Sequence, residues 1–102
     1  MGGLSLEKKA IAEDGYCSCY YAIKILKKPF PLGEPAIAKN AYYSVLYAEY
    51  VLNGPFNLGE PAIAKDAEYS YRYARKHLKG PFPLGEKAIS TSPYYSFKRS
   101  EE

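Results

Sequence analysis

The sequence predicts an all-α protein: a short α-solenoid or superhelix of four 26-residue helix-turn-helix repeats. Three observations carry that prediction. First, PFPLGE at Pro29–Glu34 returns as PFNLGE at Pro55–Glu60 and as PFPLGE at Pro81–Glu86, and residues 29–54 match 55–80 at 17 of 26 positions without a gap. Second, helix start and stop signals recur in the same frame. Third, the longer helical segments carry an apolar stripe at i, i+4 and i+8. The whole chain, residues 1–102, reads as one domain with units at about 4–28, 29–54, 55–80 and 81–102, the two end units degenerate.

The first unit fits the frame through Leu6, Ala10, Ile11 and Ala12, which align with Leu32, Ala36, Ile37 and Ala38. In the third unit Glu60-Pro61 opens a short helix through Lys65, since proline is tolerated in a first helical turn. Asp66 then has the character of an N-cap for a longer helix, as do Asp14, Asn40 and Ser92 in the other units. That longer helix is expected from about Ala67 to Lys79. It stops at Gly80-Pro81, as its predecessor stops at Gly54-Pro55, with glycine taking the left-handed conformation. The fourth unit keeps Leu84, Ala88 and Ile89, and Pro93 follows the cap Ser92.

The inner stripe of the long helices consists of Ser18, Ser44, Ser70 and Ser96, then Ala22, Ala48 and Ala74, then Leu26, Leu52 and Leu78. Tyr21, Tyr47 and Tyr73 widen it. Small Ser and Ala let helices approach closely. Phe30, Phe56 and Phe82, with Leu32, Leu58 and Leu84, are expected to cover the seams between units. A unit of 26 residues cannot bury enough surface alone, so the units must stack.

Composition excludes several classes. The chain is 47% hydrophobic and 25% charged, which suits a folded domain, and its formal charge of +3 does not by itself imply nucleic acid. No apolar run approaches the roughly 20 residues that span a bilayer. The opening MGGLSLEKKA lacks a signal-peptide core, and Leu6 stands where myristoylation needs Ser or Thr. Cys17 and Cys19, two residues apart on a helix, point away from each other, so a reducing cytoplasm is the expected location.

The segment KGPFPLGEPAIAK, the recurring Ser-x-x-Tyr-Ala core and the closing Leu-x-Gly-Pro-Phe resemble short helical repeats of phage and bacterial proteins of unknown function. The pattern is more distantly similar to DUF4116-type repeats. The resemblance spans about residues 6–100 and implies a helical fold and a viral or mobile-element origin, with no activity attached.

Catalytic chemistry finds little to work with, and the expectation is a protein that is not an enzyme and takes no cofactor. His77 is the single histidine, in the slot of Ile25 and Val51. The four serines recur at one packing position. Glu34, Glu60 and Glu86 stand at helix starts, where the dipole favours a carboxylate. One His and two divergent Cys do not make a tetrahedral metal site.

Differences between units are therefore where function is sought. The outward face of the third long helix is charged, whereas the first two present Tyr16, Tyr20, Ile23, Tyr42, Leu46 and Tyr50. These six residues are the expected partner-binding patch, since Tyr offers large apolar area with a polar tip. The expected function is a protein-protein interaction module, an inhibitor or adaptor of phage type, with self-association into a homodimer also open. The alternative is an anionic ligand, nucleotide or nucleic acid, held by Arg72, Arg75, Lys76 and Lys79, with Lys98 and Arg99 nearby and Tyr69, Tyr71 or Tyr95 to stack on a base.

Overall fold

Four Asx or Ser caps start the four long helices. The computed structural model describes residues 2–101, with side chains from residue 6 onward. Asp14, Asn40 and Asp66 each accept the amide three residues on, from Cys17, Tyr43 and Tyr69, at 2.8–2.9 Å. Ser92 does the same for Tyr95 at 3.4 Å. The helices that follow are α2 (Gly15–Tyr20), α4 (Ala41–Tyr47), α6 (Ala67–Tyr73) and α8 (Pro93–Ser100). Before them come α1 (Gly2–Ala12) and the short α3 (Glu34–Ile37), α5 (Glu60–Ile63) and α7 (Glu86–Thr91). Each of the last three is entered through a 3-10 turn, at Pro31–Gly33, Asn57–Gly59 and Pro83–Gly85. Among the described residues every regular element is helical.

The first three long helices end in widened turns, over Tyr21–Leu26, Ala48–Leu52 and Ala74–Leu78. The amides of Lys27 and Lys79 bond the carbonyls of Ala22 and Ala74, five residues back, at 2.7 Å. The left-handed residue is therefore not the glycine that the sequence suggests. Lys27, Asn53 and Lys79 take φ of 55°, 52° and 52°, and among the described residues no glycine has positive φ. The wider last turn brings the reversal one residue early, so Gly54 and Gly80 only lead the chain away.

The elements of successive units lie along a rod of 53 × 19 × 17 Å. The long helices pack side by side in the order α2, α4, α6, α8, and α3, α5 and α7 each lie against the long helix before them. Two devices join the parts. Within a unit, the long-helix serine donates to the carbonyl of the isoleucine seven residues back, in the preceding helix: Ser18 to Ile11, Ser44 to Ile37, Ser70 to Ile63 and Ser96 to Ile89, at 2.8–3.1 Å. Between units, Ser18, Ser44 and Ser70 receive Gly33, Gly59 and Gly85 of the next unit. A Cβ on Gly59 would lie 2.5 Å from Ser44 Oγ and 2.7 Å from the Phe56 ring, so only glycine fits. Ser18, Ser44 and Ser70 are fully buried, as are Ile37, Ile63, Tyr47 and Tyr73.

A tyrosine clasp closes the second and third units. Tyr47 Oη donates to Glu34 Oε2 at 2.6 Å and accepts the Phe30 amide at 2.8 Å. Tyr73 repeats this with Glu60 and Phe56 at the same distances. Both rings then lie against the phenylalanine of the following unit, Phe56 and Phe82, at 4.9 and 5.2 Å. Burial, reinforced by the carboxylate beside each hydroxyl, pushes both phenols well above their ordinary pKa.

One seam expectation and one patch expectation are corrected. Phe30, Phe56 and Phe82 are buried, but Leu32, Leu58 and Leu84 are exposed and cover nothing. A 3-10 turn has three residues per turn, so Phe30 and Gly33 share the inward face and Leu32, between them, turns outward. Leu46 was expected outside and is only 8% exposed. Helix α4 is flanked by α2 and α6, which narrows its solvent arc.

Candidate functional site

With the caps, clips and clasps assigned, five of the remaining tyrosines gather in one row. Tyr20 and Tyr16 stand ring to ring at 4.9 Å, and Tyr16 meets Tyr43 edge-on at 5.9 Å. Tyr43 neighbours Tyr42 at 5.4 Å, and Tyr42 reaches Tyr69 of the third unit at 5.9 Å. Five rings thus form a continuous row across three units. All lie within the span in which aromatic pairs attract beyond their area. Tyr16 and Tyr42 are exposed, and Tyr20, Tyr43 and Tyr69 are half-buried beneath them. A hydrogen bond with Tyr42 raises the pKa of the Tyr20 hydroxyl.

The six patch residues read from sequence divide. Tyr16, Tyr20 and Tyr42 belong to the row. Ile23 is half-buried and packs on the core, and Leu46 is inside it. Tyr50 is exposed but lies elsewhere, lining a groove with Asn53, Lys76 and His77. Tyr43 lies outside the expected patch, and Tyr69 is expected only as a stacking partner for a base, because the two recur at one repeat position and the patch is drawn from positions that differ between units. Their signal was present in the sequence: both follow a cap by three residues, beside the divergent Tyr42 and Glu68.

The basic stripe also divides. Arg72 grips Glu49 of the second unit with both Nε and Nη2, at 2.6 and 2.8 Å, and Glu49 Oε1 also faces Lys76 Nζ at 3.8 Å. The Glu49 side chain is 7% exposed. This fork joins α6 to the end of the second unit, and Arg72 is spent on holding the stack. Arg75 and Lys79 instead border a cleft between the third and fourth units. His77 is half-buried with Nε2 covered and without a hydrogen-bond partner among the described residues. Burial holds its pKa below the usual imidazole value.

Cys17 is exposed and Cys19 buried, the latter directed at the Tyr43 carbonyl at 3.7 Å, with its thiol pushed up to about 11 by burial. Among the described residues no three of His, Cys, Asp and Glu stand together to hold a metal, and no helix is long and apolar enough to cross a membrane. Compared with known proteins, the chain matches no family model, and neither a curated protein nor a solved structure resembles it.

Proposed function

We infer that the protein is a helical-repeat solenoid that works without catalysis, as an inhibitor or adaptor, by docking a partner protein on its tyrosine row. One observation carries the reading: the Tyr20–Tyr16–Tyr43–Tyr42–Tyr69 row makes none of the clasps that hold the stack, yet it crosses three units without a break. Interfaces favour tyrosine because a stiff ring offers broad apolar contact and its hydroxyl answers a polar rim. A rod with aromatic rings along one side suits an extended or helical surface on the partner.

The test uses Tyr16→Glu with Tyr42→Glu, both at exposed positions, and Leu84→Glu on another exposed position as control. A partner held by the wild type and the Leu84→Glu protein, and lost by the double variant, supports the assignment. Equal capture by all three removes it. Light scattering run alongside separates a foreign partner from a second copy. A dimer that becomes a monomer only in the double variant would assign the row to self-association.

A further inference from the structure

Each long helix offers one face to the unit that follows, and among the described residues no unit follows the fourth. The three seams show what that face receives. Helices α3, α5 and α7 lie on α2, α4 and α6. The turn that leads into each short helix brings one phenylalanine and one glycine inward. Phe30 and Gly33, Phe56 and Gly59, and Phe82 and Gly85 are buried, while Pro29, Leu32 and their counterparts are exposed. Ile37, Ile63 and Ile89, four residues past the glycine, are buried as well. The receiving side is equally regular. Ser18, Ser44 and Ser70 meet the glycines. Cys19 faces the Tyr43 carbonyl of the next unit at 3.7 Å, and Tyr71 meets Tyr95 of the next at 5.4 Å. Tyr16 and Tyr42 reach forward in the same sense, to Tyr43 and Tyr69, each at 5.9 Å.

In α8 the corresponding receiving residues are Tyr94, Ser96, Phe97 and Ser100. They turn to solvent. Phe97 is 60% and Tyr94 58% exposed, whereas Cys19 and Val45 at the Phe97 position are 0% and 1% exposed. Ser96 is half-buried where its three counterparts are sealed, and Ser100 is exposed where Ala22 and Ala48 are buried. Two large aromatics one turn apart, flanked by two small residues, make an apolar face of the kind that marks a partner surface. One position departs from the pattern. Arg99, held by Glu86 at 2.6 Å, stands where Tyr21, Tyr47 and Tyr73 meet the following phenylalanine.

We propose that the end face of α8 receives a repeat unit of the same pattern offered by another protein, a Phe-x-x-Gly turn followed by a short helix with isoleucine four residues past the glycine. The interface is a continuation of the three that hold this chain together. Ser96 takes the glycine, and Phe97 and Tyr94 pack against the incoming helices. A stack whose end is not sealed by a polar cap extends by adding a neighbour. The occupant is not the first unit of a second copy. In the repeat frame Glu7 stands where Gly33, Gly59 and Gly85 stand, and α1 runs as one helix through the segment that is a 3-10 turn in the other units. A Cβ alone at Gly59 or Gly85 would come within 2.5 and 2.6 Å of the serine Oγ it meets, so a glutamate side chain does not enter that seam. The three Phe-x-x-Gly turns of a second copy are buried in its own seams. The end face shares no residue with the tyrosine row.

The experiment titrates the full chain into a fluorescein-labelled synthetic peptide of residues 29–54, the second unit in isolation, and follows anisotropy. The same peptide with Gly33→Ala serves as its control. Alanine favours a helix over glycine, so weaker binding by that peptide reports the seam and not lost helicity. The chain variants are Phe97→Glu and Tyr94→Glu at the end face and Leu58→Glu at an exposed position on the third unit. Melting curves verify that each folds, and Tyr94→Glu decides alone if Phe97→Glu does not. Saturable binding of the wild-type peptide is expected, weakened about tenfold or more by Phe97→Glu and by Gly33→Ala in the peptide, less by Tyr94→Glu, and unchanged by Leu58→Glu. Absence of saturable binding at millimolar chain, or equal affinity of wild type and the folded end-face variants, would overturn the proposal. So would equal binding of the two peptides. A wild-type dimer in light scattering that becomes a monomer with Phe97→Glu would assign the face to a second copy and overturn it too.

Discussion

The second and third units and the fourth are built on one plan, but they treat the same positions differently. Val45 of the second unit is 1% exposed, whereas its fourth-unit counterpart Phe97 is 60% exposed. Ser44 and Ser70 are sealed by the glycine of a following unit, while Ser96 is half-buried. Tyr47 and Tyr73 clasp an amide and a carboxylate at once, and Arg99 holds only the carboxylate. The difference teaches that the stack is held by a few recurring contacts, which the fourth unit keeps only in part.

The largest effect should come from the glycine at a sealed seam. Gly59→Ala forces a Cβ against Ser44 and the buried Phe56 ring and should cost about 2–3 kcal/mol, which lowers the melting temperature by roughly 4–8 °C per kcal/mol. Gly54→Ala meets nothing closer than the Leu52 carbonyl at 3.8 Å, and its φ is not positive, so it should melt within a few degrees of wild type. A comparable loss at both positions would break the contrast.

The clasp comes next. Tyr73→Phe leaves the buried Phe56 amide without its acceptor and should destabilise by about 1–3 kcal/mol in urea unfolding. Arg99→Ala removes a half-exposed ion pair and should cost at most about 1 kcal/mol. The serine clips should rank in the same way. Ser70→Ala loses a fully buried bond to Ile63 and should cost about 0.5–1.5 kcal/mol, with Ser96→Ala below it.

The smallest effect is one of pH. Burial lowers the His77 pKa in the folded chain, so the unfolded chain takes up the proton first as pH falls. Stability from this group is present above the ordinary imidazole value and is lost as pH drops from there through the lower folded value. His77→Val, the residue of the second unit, should flatten the melting temperature over that window.

Much of the fold was legible because its causes are local. A cap residue meets an amide three residues on, and a stripe at i, i+4 and i+8 shares one face, whatever lies beyond the helix. The candidate site was legible only in part. Tyr16, Tyr20 and Tyr42 could be placed on an outward arc from their spacing. Leu46 could not, because its burial depends on how closely α2 and α6 flank α4.

What the sequence by itself determined was the repeat, the four caps, the serine and tyrosine stripe, and the separation of Cys17 from Cys19. Those follow from backbone periodicity and short-range hydrogen bonding. The tertiary structure alone decided that the leucines of the 3-10 turns face outward, that Glu49 ties up Arg72, that five tyrosines join across three units, and that Arg99 takes the Glu86 carboxylate in place of a tyrosine. Each of these depends on which side chains neighbouring helices bring within a few ångströms, a distance that no spacing along one chain specifies.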